Sequence, residues 1–178
     1  MIDLFSQSGK TIILKRNDFL KTTGSTDTNL YFVEKGSIKV FTHDDGEEQI
    51  LRFGYSGNIL VSLDSFLTGK PSEICMQAIK KSVVKVISKT EAELYFVQEG
   101  NQKIWINILE NLIIQQMERE TDILTRSPKK RFNRVFARSP QLFQEIPDKY
   151  IANYLRMSPE TLSRLKSLDF YQDLPTED

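Results

Sequence analysis

The chain has 178 residues, 39% of them hydrophobic and 27% charged, and its 24 basic side chains balance its 24 acidic ones. This composition is that of a globular protein of one or two domains, and it excludes a disordered polyelectrolyte, a collagen and a uniformly cationic nucleic-acid coat. Cys75 and His43 are the only cysteine and histidine. They cannot form an internal disulfide or a Cys₂His₂ zinc site, and Ser–His or Cys–His catalysis is poorly supported. We therefore predict a protein that is not an enzyme and holds no metal.

Neither a membrane span nor a signal peptide is visible. No apolar stretch approaches the roughly 20 residues that a membrane-spanning helix needs. The N-terminal MIDLFSQSGK lacks both a basic flank and an apolar region. We expect a cytoplasmic protein with no membrane partner.

The balanced charge hides an uneven distribution along the chain. Residues 127–169 contain nine basic and four acidic side chains, a net charge of +5, whereas residues 170–178 contain three acidic and no basic ones. A basic segment carried on a nearly neutral body is what attraction to phosphate groups requires.

The first half of the chain is predicted to be β structure. Turn-forming residues separate short runs rich in β-branched and aromatic residues, and this regular spacing favours an all-β sandwich or barrel. The six runs are 11–15, 30–34, 37–41, 48–53, 73–78 and 83–88. The short Lys35-Gly36 link predicts a hairpin, with Gly36 at positive φ and with Ile38 and Val40 buried on one face.

From Thr90 onward the apolar spacing becomes helical. Thr90 and Glu93 fit a capping box, which predicts a helix start. After Gly100 a helical pattern runs to Arg126, and its apolar band is too wide for one packing surface. We expect this helix to pack on the β domain and on a second copy of the chain, the alternative being the central helix of a monomer. The residues predicted in or beside the dimer seam are Trp105, Ile108, Leu109, Leu112 and Ile113.

Beyond Arg126 the sequence predicts short helices. Each of the Ser-Pro pairs that begin at Ser127, Ser139 and Ser158 suits a helix start. Between residues 147 and 166, apolar residues at helical spacing flank a short break and predict a helix, a turn and a second helix. These residues are Ile151, Leu155, Leu162 and Leu165. Two readings stay open from charge and spacing alone: a helix-turn-helix reader of the DNA major groove, or an ordinary corner between two helices.

The run Tyr150-Ile-Ala-Asn-Tyr-Leu-Arg-Met-Ser-Pro-Glu-Thr-Leu-Ser-Arg-Leu-Lys166 resembles the helix-turn-helix of the Crp/Fnr transcription regulators. Residues 30–41 resemble the glycine-turn hairpin of their cyclic-nucleotide-binding β-roll, and residues 65–71 resemble the loop that follows. The resemblance implies an α+β fold. Its parts are an N-terminal double-stranded β-helix, or jelly roll, over 1–100, a dimerisation helix over 101–126 and a winged-helix-like helix-turn-helix domain over 127–178.

The same resemblance implies a dimeric DNA-binding transcription regulator. Its partners would be double-stranded DNA and a second copy of the chain, with RNA polymerase as a further candidate. The helix that starts at Ser158 would enter the major groove, with Glu160 and Arg164 facing base edges and able to pair with each other. Ser158, Ser163 and Lys166 would lie nearer the DNA backbone.

Two departures from the family pattern concern the DNA-binding domain. Arg156 stands in the turn where the family usually has glycine, at a strain of roughly 1 kcal/mol in a left-handed conformation. No clear pair of wing strands is visible. A β-roll signalling or protein-interaction module that has lost DNA binding is therefore the rival prediction.

The ligand site also departs from the pattern of members that bind cyclic AMP. By an ungapped count, Ser62 replaces the Glu that binds the ribose, Ser72 replaces the Arg that binds the phosphate, and Glu73 follows it. A carboxylate beside a phosphate with no arginine is repulsive. We predict no cyclic AMP binding and no cofactor, and the effector stays unidentified. The predicted pocket comprises Asn58, Ser62, Leu63, Ser72, Glu73 and Gln116.

Overall fold

The computed structural model describes residues 4–5 and 9–172. Strands are followed by helices, and the predicted α+β architecture with an N-terminal jelly roll is confirmed. The strands are β1 (Lys10–Leu14), β2 (Phe19–Lys21), β3 (Leu30–Lys35), β4 (Ser37–Asp44), β5 (Glu47–Tyr55), β6 (Ile59–Val61), β7 (Cys75–Ala78) and β8 (Ser82–Ile87). The helices are α1 (Leu63–Thr68), α2 (Lys89–Phe96), α3 (Gln102–Leu124), α4 (Pro128–Arg138), α5 (Pro140–Glu145), α6 (Asp148–Tyr154) and α7 (Pro159–Gln172).

The chain forms two compact units, Met1–Gln115 and Gln116–Asp178. The division falls inside α3, whereas the predicted segment boundaries follow the ends of this helix. The first part of α3 contributes Ile108 and Leu112 to the core of the first unit. Its second part binds α4 through Asp122, which accounts for a division within one continuous helix.

Two four-stranded antiparallel sheets build the first unit, with strand orders β1-β8-β3-β6 and β2-β7-β4-β5. Apolar side chains from both sheets, Val33 and Val84 from one and Ile38 and Met76 from the other among them, form a single core. All six predicted strands are present. Strands β2 and β6 were not predicted, because three residues are too few to show an alternating pattern.

The predicted hairpin at Gly36 is wrong. Strand β3 pairs with β6 and β8, whereas β4 pairs with β5 and β7, so the chain crosses from one sheet to the other at this glycine. Its φ is 99°, positive as predicted. A Cβ atom there would lie 2.2 Å from the Ser82 hydroxyl oxygen, so the crossing also needs the missing side chain. Ile38 and Val40 are buried as predicted, but Lys39 between them is buried too.

A second core joins the first sheet to the helices of the first unit. Phe66 of α1, Phe96 of α2 and Leu112 of α3 pack in one cluster with residues of β3, β6 and β8. The capping box of α2 is formed by Ser88 and Glu91, so the predicted Thr90–Glu93 box is wrong. Ser88 still has the extended backbone that an N-cap requires, while Thr90 already lies in the helix.

Every element of regular secondary structure described in the second unit is a helix. A helix begins at the proline of each Ser-Pro pair, as predicted. No strand is present between residues 116 and 172, so this part of the predicted winged-helix-like domain has no β-wing. Residues 173–178, which also belong to the predicted domain, lie outside the described part. None of the helices that the structure describes has the length and apolarity to cross a bilayer.

Candidate functional site

Helices α6 and α7 form the predicted helix-turn-helix. Ile151, Leu155 and Leu162 are fully buried and bring the two helices together. The small Ala152 is also buried, and its carbonyl accepts a hydrogen bond of 3.0 Å from the Met157 N–H. The apolar spacing of the sequence therefore identifies the packed face of this motif correctly.

Arg156 occupies the turn with a φ of 52°, in the left-handed region that the family resemblance implies. Its N–H donates to the Asn153 carbonyl at 3.0 Å, and its own carbonyl accepts from Nη2 of Arg131 at 2.8 Å. Both polar groups of this peptide are satisfied. These bonds offset the conformational strain of roughly 1 kcal/mol that a non-glycine residue has here.

Arg131 of α4 is a buried arginine that binds the ends of two helices. Its Nε donates to the Leu155 carbonyl at 2.7 Å, next to the bond with Arg156. Its Nη1 donates to the carbonyls of Thr125 and Arg126, at 2.6 and 3.1 Å, just beyond α3. The last carbonyls of a helix have no partner within it and carry partial negative charge. One guanidinium therefore caps both α3 and α6.

Arg119 of α3 binds the same turn from another side. Its Nη1 donates to the Tyr154 carbonyl at 2.7 Å, and its guanidinium lies 3.8 Å from the centre of the Tyr154 ring. Burial lowers the pKa of Arg119. The carbonyls of Tyr154, Leu155 and Arg156 are thus all held by arginines that the sequence analysis did not single out.

Asp122 completes this group of charges in the second unit. Its carboxylate is fully buried and accepts from Nε of Arg134 at 3.0 Å and from Nη2 of Arg138 at 2.6 Å. A signal for these residues exists in the sequence. Arg119 and Asp122 follow Leu112 by seven and ten residues, on the same helical stripe, where an apolar residue would be expected.

The residues predicted to contact DNA lie at the start of α7. Ser158 caps the helix through its hydroxyl, which accepts from the Thr161 N–H at 3.2 Å. Ser163 and Arg164 are exposed on the next turn. Lys166 is partly buried, and its ammonium forms an ion pair of 2.7 Å with Asp148 of α6.

Glu160 is exposed but turns toward the beginning of its own helix. Its backbone N–H and the Ser158 hydroxyl donate to its carboxylate and hold its pKa below the usual value. Unsatisfied N–H groups in the first turn attract a carboxylate. The predicted pairing with Arg164 is not among the ion pairs of the described residues, so Arg164 stands without this support.

The hydroxyl groups of the predicted pocket residues Ser62 and Ser72 form hydrogen bonds within the chain. Ser62 and Ser72 are buried, with their hydroxyl oxygens 3.2 Å apart, and the Ser62 hydroxyl donates to Asp64 at 2.9 Å. Burial alone would raise the pKa of Asp64, but hydrogen bonds from the Ser72 hydroxyl, the Ser65 N–H and the Ser62 hydroxyl lower it. The Asp64 carboxylate therefore already binds donors of Ser62, Ser65 and Ser72.

The other predicted pocket residues have different surroundings. Glu73 is exposed and Leu63 packs against the core of the first unit. Asn58 holds the turn between β5 and β6, because its side-chain oxygen accepts from the Tyr55 N–H at 3.0 Å. Asn58 therefore stabilises this turn, and its assignment to the pocket stays a prediction. Gln116 is exposed and belongs to the second unit.

The predicted dimer residues divide between the core and the surface of α3. Ile108 and Leu112 are buried inside the first unit, and Trp105 stacks on Phe96 at 5.2 Å between ring centres. These three residues pack within the protomer, and their place in or beside the seam stays a prediction. Leu109 is partly buried and Ile113 is exposed. Further exposed apolar residues of α3, outside the five predicted for the seam, are Ile106, Ile114, Met117, Ile123 and Leu124.

Comparison with known proteins agrees with this architecture. Residues 11–93 match the model of the cyclic nucleotide-binding domain. The match with the solved structure of FixK2 from Bradyrhizobium japonicum covers 92% of this chain and 85% of the FixK2 chain. Its TM-score is 0.76 at 14% sequence identity. The chain has the Crp/Fnr fold.

Two further structures share the Crp/Fnr fold with this chain. The match with the catabolite activator protein of Thermus thermophilus covers 96% of this chain and 83% of that protein's chain. Its TM-score is 0.57 at 18% sequence identity. The match with the c-di-GMP responsive global regulator CLP of Xanthomonas campestris covers 99% of this chain and 94% of that protein's chain. Its TM-score is 0.65 at 14% sequence identity. No curated protein sequence matches the chain. The family resemblance in the sequence is confirmed at the level of the fold.

Proposed function

We propose that the chain is a dimeric, DNA-binding transcription regulator of the Crp/Fnr type whose sensor domain does not respond to cyclic AMP. The observation that carries the proposal is the helix-turn-helix of α6 and α7, whose second helix presents Arg164 on its exposed surface. The segment around it has a net charge of +5, from nine basic and four acidic side chains between residues 127 and 169. Positive charge beside an exposed helix suits the major groove.

The rigid turn supports the same proposal. Base recognition requires a helix held in one orientation by its surroundings, because specific contacts tolerate little displacement. Arg119 and Arg131 bind three successive carbonyls of the turn before α7. A solvated corner between two helices needs no such arrangement. The rigid turn therefore favours a helix that recognises DNA bases over a protein-interaction module.

Arg164 is the candidate base-reading residue. Arginine donates twice to O6 and N7 of guanine, so a G·C-containing half-site is expected. Arg164→Ala should lose roughly 1–3 kcal/mol of binding free energy on a selected site and relax base preference, whereas Lys166→Ala should weaken all sequences alike and lower the salt slope by about one. Glu160 is a second candidate for cytosine, provided that its carboxylate leaves the first turn of α7 on binding.

The test is selection of bound duplexes from a random pool, followed by titrations over a range of salt concentrations. Neutralised phosphates release counterions, so a DNA-binding protein has a steep negative dependence of affinity on salt. Binding of random duplex without a salt dependence, or unchanged selectivity in a folded Arg164→Ala variant, would favour the interaction module. Circular dichroism checks that both variants keep their helices.

Dimerisation is proposed through the exposed part of α3. Ile113 is 56% exposed and Met117 is 62% exposed, and both lie on a helix whose opposite side is already packed. Apolar residues four apart face the same side of a helix, which suits the seam of a two-fold symmetric pair of helices. RNA polymerase remains a candidate partner that no contact in this chain identifies.

We expect cyclic AMP not to bind with micromolar affinity. By the ungapped count Glu73 stands beside the position of the missing arginine. The hydroxyls of Ser62 and Ser72 already bind each other and Asp64. Calorimetric titration with cyclic AMP tests this directly. A saturable micromolar site would contradict the expectation. CLP, which shares the fold, is described as responsive to c-di-GMP, so a Crp/Fnr fold does not by itself imply cyclic AMP.

A further inference from the structure

A cavity of about 440 Å³ opens on the first unit between α1, α2 and the beginning of α3. None of the residues of the predicted ligand pocket lines it. Its volume falls within the range of small-molecule sites, roughly 300–1,000 Å³.

Three aromatic rings line this cavity. The centre of the Trp105 ring lies 5.2 Å from that of Phe96 and 5.5 Å from that of Phe66. Aliphatic side chains at the rim, Leu67 and Val97, are exposed. Contiguous aromatic walls with an apolar rim suit a flat aromatic ligand, which would stack on the rings.

The lining of this cavity includes one cation, Lys89, and one carboxylate, Glu93. The Lys89 ammonium donates to the Phe66 carbonyl at 2.7 Å, which fixes its position. Lys89 also forms a long ion pair with Glu93, at 4.0 Å, and the side chain of Glu93 is 61% exposed against 32% for Lys89. An ammonium has three N–H groups, so Lys89 has donors for an acceptor on a ligand. Lys89 is therefore the less exposed of the two charges that line the cavity.

We propose that this cavity is a binding site for a small aromatic carboxylate, whose ring stacks on Trp105 and whose carboxylate pairs with Lys89. The ligand would contact both α1, which follows the predicted pocket residue Ser62, and α3, the proposed dimer helix. The proposal goes beyond DNA binding. It is tested without DNA, so its outcome is independent of the proposed function.

The test uses the only tryptophan of the chain, Trp105, whose emission reports on the cavity itself. Phenylacetate is titrated against its neutral isostere, phenylacetamide. We expect saturable quenching by phenylacetate with a Kd of about a millimolar or tighter, and binding of phenylacetamide at least about tenfold weaker. Lys89→Gln should remove this preference while leaving phenylacetamide binding unchanged, which a purely structural role of Lys89 would not do.

A matched pair of charge changes on α2 and its end completes the test. Val97→Glu places a carboxylate on the rim and should weaken phenylacetate binding at least about tenfold. Leu94→Glu makes the same charge change at an exposed position outside the cavity lining and should have little effect. Calorimetry checks each Kd independently of fluorescence.

Three results would overturn the proposal. The first is the absence of saturation, and the second is an unchanged preference for phenylacetate in the Lys89→Gln variant. The third is a Trp105 emission that changes with protein concentration, in parallel with dimerisation, and that does not change when phenylacetate is added. In that case a second copy of the chain, rather than a ligand, covers the cavity.

Discussion

Replacing Arg131 by leucine is expected to lower the free energy of unfolding of the second unit by roughly 3–5 kcal/mol, because carbonyls at two helix ends lose their donor together. The four carbonyls belong to Thr125, Arg126, Leu155 and Arg156. Water can reach some of these groups in the variant, which keeps the loss below the sum of four separate penalties. The left-handed turn would also lose the bond that offsets its strain.

Arg134→Leu is the matched control for this change. Arg134 lies on the same helix and loses one charge in the same substitution, but its side chain is 43% exposed and Asp122 keeps Arg138 as a partner. Its cost should therefore be smaller, roughly 1.5–3 kcal/mol, because the buried Asp122 loses one of its two charged donors. Equal losses for the two variants would show that Arg131 does not have the proposed capping role.

Urea unfolding measured by two probes separates the units. Trp105 emission follows the first unit, and helical circular dichroism includes the second. We expect Arg131→Leu to shift the circular dichroism transition with little change in the Trp105 transition. DNA affinity should fall in this variant for all sequences, because the reader helix loses its support. Arg164→Ala, in contrast, should change base preference with stability intact.

Glutamate substitutions at the neighbouring positions 112 and 113 are expected to affect different properties, stability at 112 and dimerisation at 113. Leu112 is 7% exposed and packs in the core of the first unit, so Leu112→Glu should lower the free energy of unfolding by at least about 3 kcal/mol. Ile113 is 56% exposed, so Ile113→Glu should change the stability of the isolated chain by no more than about 0.5 kcal/mol. It should nevertheless shift the dimer to monomer, because the charge would be desolvated against a second α3.

Light scattering at increasing protein concentration measures the oligomeric state of each variant. Leu94→Glu is the control, because it adds the same charge at an apolar position that is 63% exposed outside α3. We expect Leu94→Glu to remain dimeric. A wild-type chain that is monomeric at tens of micromolar, where a micromolar dimer would persist, contradicts the proposed assembly. So does an Ile113→Glu variant that dimerises as well as the wild type.

The sequence by itself determined the succession of elements, because short-range physics controls them. Alternation and turn residues located six strands, the helical period located α3, and Ser-Pro pairs marked the starts of α4, α5 and α7. The helix-turn-helix was recognisable for the same reason. Its buried residues Ile151, Leu155 and Leu162 follow a helical spacing on both sides of a short turn. The family motif in α7 then indicated the Crp/Fnr fold.

Tertiary structure alone decided which partner each element meets. Gly36 has the positive φ that its sequence context predicts, but local geometry cannot distinguish a hairpin from a crossing between two sheets. The wide apolar band of α3 likewise could not be divided in advance between the protomer core, which takes Leu112, and the surface, which keeps Ile113. The carbonyls that Arg131 binds lie up to 25 residues away in the chain. Such long-range contacts depend on the packing of whole helices, which residue spacing within one segment does not specify.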